Sequence, residues 1–171
     1  VTTATSGANS FNIFRNNTAT NTNSGILMLG YNDVTPFAFY DQNNEIGQTG
    51  AGNIMTNLGG SSLSVYGVAT SYQNNLKIVD NNINTGASAG TGGIYGINAG
   101  SASNANTDIT GNTITTNASL SGTGQNIALI NNSGSRFGRP TSASINNTVN
   151  ILNNTIQNCT YPSSGTSTLW L

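Results

Sequence analysis

Asn106-Thr-Asp-Ile-Thr-Gly-Asn-Thr-Ile114, with Gly92-Gly-Ile-Tyr-Gly-Ile97 shortly before it, is the stretch that decides the fold. In the first pattern an aliphatic residue is followed three positions later by Asn and two after that by a second aliphatic: Ile109, Asn112, Ile114. The spacing returns as Ile78, Asn81, Ile83, as Ile151, Asn154, Ile156, and with a weaker last member as Ile13, Asn16, Thr18. A defective copy sits at Asn44 and Ile46, where Asp41 replaces the first aliphatic. In the second pattern Ile94-Tyr-Gly-Ile97 repeats Val65-Tyr-Gly-Val68, while Ile26-Leu-Met-Leu29, Ile127-Ala-Leu-Ile130 and Leu169-Trp-Leu171 fill the same place in their own repeats.

Working outward, short alternating runs align as Phe11/Ile13, Leu76/Ile78, Thr107/Ile109 and Val149/Ile151, with Phe39/Asp41 as the defective member. Alternation with a period of two is the mark of a strand with one face inward. No window holds helical spacing, and Gly and Asn interrupt every candidate. The step between repeats varies while the strands do not, which a solenoid tolerates because insertions go into its turns. The expected architecture is an all-β parallel β-helix of about five coils: residues 1–10 as a lead-in and residues 11–171 as one domain, with a Gly-rich excursion over 47–62. Stacked coils would set Asn16, Asn44, Asn81, Asn112 and Asn154 above one another as an internal amide ladder, each bonding the next about 4.8 Å away.

Composition narrows the function classes. Of 171 residues only 5% are charged, four Lys or Arg against five Asp or Glu, for a net charge of -1. Attraction to nucleic acid has little to act through, and no apolar run approaches the roughly 20 residues needed to span a bilayer. With no His and the single Cys159, a zinc or haem site lacks ligands and no internal disulfide can form. We expect no metal and no cofactor, and Cys159 as a small packing residue.

The Ile-x-x-Asn-x-Ile unit, followed after a Gly-rich link by Gly-Ile-Tyr-Gly-Ile, resembles the parallel β-helix repeat of the pectin-lyase-like superfamily over residues 11–171. The resemblance implies a right-handed parallel β-helix with three short sheets per coil. It specifies no single function, because that superfamily includes polysaccharide lyases, glycoside hydrolases, phage tailspikes and bacterial surface proteins. Asn106-Thr-Asp108 matches the Asn-Thr-Asp motif of polygalacturonase-like hydrolases, but their Asp-Asp, Gly-His-Gly and Arg-Ile-Lys motifs have no counterpart in this chain. No catalytic set is expected.

Residues with binding chemistry are few. Asp108 is expected outward, in register with Asn12, Tyr40, Lys77 and Asn150, so that Lys77 and Asp108 face each other as an exposed ion pair. A lyase-like site would use Lys77 as base and Asp80 with Asp108 on calcium, but such a site wants six to eight oxygens and usually several carboxylates. Tyr66 and Tyr95 should stack outward, with Leu27 before them in the stripe, and could receive a sugar face. Arg136 and Arg139 flank Phe137 in a loop that could clasp an anionic group.

The expected function is a non-catalytic structural or adhesive β-helix segment of a large secreted bacterial surface protein or fibre, located outside the cell. Its partners would be further coils or another protein chain at the solenoid ends, since no capping element is legible and the sequence given stops within a strand. The alternative is a carbohydrate-binding or carbohydrate-cleaving β-helix, marked by a shallow groove lined by Tyr66, Tyr95, Lys77 and Asp108. An ice-binding solenoid ranks last: it needs Thr repeated at one rung position, and Thr107, Thr110, Thr113 and Thr115 fall within a single coil.

Overall fold

In the computed structural model, residues 8–34, 36–60, 63–86, 92–100, 102, 105–117, 126–132, 148–160 and 168–170 are described. Among them every regular element is a strand, and every strand pairing is parallel. The strands stack into three five-stranded sheets, the arrangement of a β-solenoid. The first sheet stacks Ile13–Phe14, Glu45–Ile46, Leu76–Val79, Thr107–Thr110 and Val149–Leu152. The second stacks Thr18–Thr20, Ile54–Leu58, Asn82–Thr85, Thr113–Thr116 and Thr155–Ile156, and the third Ser24–Leu29, Val65–Ser71, Ile94–Gly100, Asn126–Asn132 and Thr168–Trp170. A small fourth pairing joins Asp41–Gln42 to Gln73–Asn74 at one corner.

Short strands form because each rung alternates a core-facing aliphatic with outward polar residues and closes on a residue that accepts a left-handed backbone. Asn16, Asp80, Gly111 and Asn153 all have φ between 54° and 69°, and each immediately precedes a ladder Asn. The inward residues then stack by kind. Ile46, Ile78 and Ile109 form one column, Met55, Ile83 and Ile114 another, Val68 and Ile97 a third, all fully buried. Burying such a side chain contributes about 1.5–3 kcal/mol.

The sheets are five strands deep, but the enclosed core spans only the three interior rungs. In the outer rungs the same columns are open: Phe14 is 39% and Ile151 46% exposed. About five coils were expected, and the sealed interior is smaller.

The ladder is Asn17, Asn53, Asn81, Asn112 and Asn154. Asn17 donates its backbone N–H and Nδ2–H to Asn53 Oδ1, both at 3.0 Å. Asn53 bonds Asn81, Asn81 bonds Asn112 and Asn112 bonds Asn154 through the same fork at 2.9–3.0 Å. From Asn53 onward an Nδ2–H also reaches back to a main-chain carbonyl: Asn53 to Phe14, Asn81 to Ile46, Asn112 to Ile78 and Asn154 to Ile109.

Two expected members are therefore replaced. Asn16 is the left-handed corner residue one position before the ladder. Asn44 is buried in a different network, accepting from Asn12 N and Nδ2 and donating to Gln73 Oε1.

The physical reason lies in the second coil. Six residues, Gly47 to Gly52, separate Ile46 from its ladder Asn, where the next coils have two. Counting a fixed spacing from Asn44 thus shifts the register, so that Ile46 heads the coil and pairs with Ile78. The supposed excursion over 47–62 contains a core strand, Ile54–Leu58, with Met55 and Leu58 buried. In the first coil Phe14, not Ile13, faces the core column, since Phe14 pairs with Ile46 and Ile13 with Glu45.

Candidate functional site

The outward face of the first sheet carries Ile13, Glu45, Lys77, Asp108 and Asn150 at one register position on successive rungs. Lys77, Asp108 and Asn150 share a column as expected, while Ile13 and Glu45 stand where Asn12 and Tyr40 were expected. Beside this column runs a row of amides at the corner. Asn75 Nδ2 donates to Asn43 Oδ1 at 3.3 Å, and Asn106 Nδ2 donates to Asn75 Oδ1 at 2.9 Å. Together the three charged side chains and the three amides line a depression of about 290 Å³.

Lys77 is exposed, with a carboxylate on the rung to either side, yet no ion pair within 4.0 Å forms among the described residues. The expected Lys77–Asp108 ion pair is therefore not made. Asp108 Oδ1 instead accepts from Asn150 Nδ2 at 2.7 Å on the next rung. Glu45 and Asp108 lie two rungs apart, roughly 9.6 Å along the axis, with Lys77 on the rung between them.

Tyr66 and Tyr95 do stack, with ring centroids 5.1 Å apart and planes 13° from parallel. The Tyr95 phenol is pushed above its ordinary value, first by burial and then by the neighbouring Tyr66. They belong to the third sheet and take no part in the depression. Leu27 is not in their stripe: Ser24 pairs with Tyr66, and Leu27 with Ala69. Matching Ile26 to Val65 misses this because the first coil pairs Ile26 with Val68, three residues further along.

Asp80 is a corner residue. Its Oδ2 accepts from Gly50 N at 2.8 Å, which fixes the turn of the coil before it, and it is absent from the depression. Arg136, Phe137 and Arg139 lie outside the described residues.

The structure thus brings Lys77 and Asp108 together, sets the two tyrosines on another face, and adds Glu45, Asn43, Asn75 and Asn106. Glu45 was hidden by the shifted second coil. The amide row had a legible signal, Asn43-Asn44 and Asn74-Asn75 at corresponding corners. Among the described residues no group of three or more His, Cys, Asp or Glu could hold a metal ion. No protein-family model, curated protein or solved structure matches the chain.

Proposed function

We infer that the chain is a non-catalytic structural or adhesive β-solenoid segment of an extracellular or cell-surface protein. The observation that carries this reading is where the side-chain hydrogen bonds go: from rung to rung, in the buried ladder and again in the surface amide row. Side chains that an enzyme would aim at a substrate are here spent on holding neighbouring coils in register. The sparse charge supports the same reading, as does the dispersal of Tyr66, Lys77 and Asp80 over separate faces and corners.

An assay on a polyuronide panel tests it. The expected result is no release of reducing or unsaturated sugar; release that Asp108→Asn abolishes overturns the reading.

A second reading, carbohydrate binding without cleavage, is favoured by one observation: Glu45, Lys77 and Asp108 share a depression with three amides, and amides and carboxylates suit sugar hydroxyls. Affinity electrophoresis in neutral and acidic polysaccharides checks it. A retardation that Lys77→Ala removes supports binding, and unretarded migration in every gel ends this reading.

A further inference from the structure

The second sheet presents an outward face whose order appears only once the strands are in register. One column runs Thr18, Ile54, Asn82, Thr113, Thr155. Two residues along each strand, Thr20 pairs with Thr56 and Asn84 with Thr115, with an irregularity beside Asn84 where the register shifts. The alternate residues, Ala19, Met55, Ile83, Ile114 and Ile156, pack into the core. Six of these nine outward residues are Thr, and none of the five strands carries a charge. Of the threonines that the sequence confined to one coil, Thr113 thus meets a threonine, Thr155, on the next coil.

We propose that this face binds ice, by presenting a two-dimensional array of threonine hydroxyl and methyl groups to lattice water. Rung spacing sets one repeat of about 4.8 Å, and alternate residues along a strand set the other at about 6.7 Å. Oxygen positions in ice repeat at comparable distances in its crystal planes. Thr suits the task because its β-branch restricts χ1, so the hydroxyl and methyl keep fixed places without further ordering cost. One pair of hydroxyls lines up between rungs: Thr56 Oγ1 donates to Thr20 Oγ1 at 3.3 Å. The buried ladder holds the rungs beneath in register, apart from the shift beside Asn84.

The absence of charge from these strands decides between ligands. An ionised group orders water around itself and not in a lattice, and a soluble anionic or cationic ligand would need such a group. A crystalline polysaccharide would also offer a periodic surface, but ring faces of sugars are received by aromatic side chains, and no outward residue of this sheet is aromatic. The inference goes beyond the structural reading and does not depend on it: the scaffold is tested by stability and by the sugar assays, this face by ice.

The test uses the whole chain as a soluble protein. Ice growing slowly from its solution should incorporate it, and single ice crystals should become faceted in its presence. Thr113→Tyr and Thr115→Tyr, each an outward bulge in a middle rung, should abolish both effects while the melting temperature stays that of the parent. Lys77→Ala, on another sheet, should leave them unchanged. Asn82→Thr with Asn84→Thr fills the gap in the array and should strengthen faceting at equal concentration. A folded parent chain that is excluded from growing ice overturns the proposal. So does a Thr113→Tyr variant that remains fully active, or retention by cellulose or chitin powder without any effect on ice.

Discussion

Asn112→Ala removes an interior, fully buried member of the ladder and is the sharpest probe of what holds the rungs together. Asn112 is 0% exposed. Its Oδ1 accepts Asn81 N at 3.0 Å and Asn81 Nδ2 at 2.9 Å, while its own Nδ2 donates to Ile78 O at 2.8 Å and to Asn154 Oδ1 at 2.9 Å. Truncation leaves two buried N–H groups on Asn81 without their acceptor. Each orphaned group costs about 1–3 kcal/mol, so even with relaxation the loss should reach about 3 kcal/mol, a large share of a typical total of about 5–15 kcal/mol. For a domain of this size that corresponds to a fall in Tm of about 6–12 °C. Thermal unfolding followed by far-ultraviolet circular dichroism, with urea unfolding in parallel, measures it. Asn82→Ala, an exposed residue on the next strand, is the control and should shift Tm by no more than about 2 °C. A parent-like Tm for Asn112→Ala would refute the ladder as a source of stability.

Three further outcomes follow from the same geometry. Gly67→Ala should cost about 1–3 kcal/mol by overpacking, because its Cβ would meet Ile83 and the Gly96 carbonyl inside the core; equilibrium urea unfolding reads this directly. Asn16→Gly should be near neutral while Asn16→Ala costs about 1 kcal/mol, because the residue has φ 56° and Gly, Asn or Asp takes that conformation more cheaply than Ala; equal stabilities would sink the corner assignment. The raised Tyr95 phenol binds its proton more tightly folded than unfolded, so its contribution to stability is full below the unfolded value of about 10 and is lost as pH rises above it. Denaturant midpoints across alkaline pH should fall less steeply in Tyr95→Phe than in the parent.

Much of the fold was legible because solenoid sequence and structure share one period. Ile78, Asn81 and Ile83, then Ile109, Asn112 and Ile114, are spaced identically, and identical spacing on stacked rungs means identical places. Legibility failed where the chain inserts residues between a strand and its ladder Asn. Gly47 to Gly52 displaces the true member to Asn53, and the first coil offers Asn16 and Asn17 side by side, of which the second bonds the ladder and the first makes the corner. Both errors exchange one Asn for another, since the same side chain serves left-handed corners and amide ladders for different physical reasons. The candidate site suffered the same way: Glu45 joined Lys77 and Asp108 only when the second coil was in register. The Thr face was hidden more thoroughly, because its members Thr18, Thr113 and Thr155 are separated by unequal numbers of residues and their alignment is a property of the stacked rungs.

Stacking also gives the amides a direction. In the buried ladder every fork points toward later rungs, from Asn17 to Asn53 and on to Asn154. In the surface amide pairs the sense is reversed: Asn106 donates to Asn75, Asn75 to Asn43, Asn131 to Asn98, and Asn57 to Asn21, each toward the earlier rung, while Asn12 alone donates forward, to the buried Asn44. Chains of aligned amides polarise one another and strengthen along their length, but an array aligned in one sense also accumulates a dipole with every added coil, as helices do. Inner and outer rows of opposite sense offset that growth. The rung can then be repeated with its hydrogen bonds reinforced and its axial dipole held small, which suits a chain with only 5% charged residues to counter an uncompensated field. Asn75→Gly, which keeps the left-handed corner at φ 54° but cuts the surface row and leaves the buried ladder whole, should therefore destabilise by more than the usual surface limit of about 0.5 kcal/mol. Pairing it with Asn112→Ala should give a non-additive total, because each row partly cancels the field of the other. A double-mutant cycle by urea unfolding measures that coupling, and strict additivity would show that the two rows act independently.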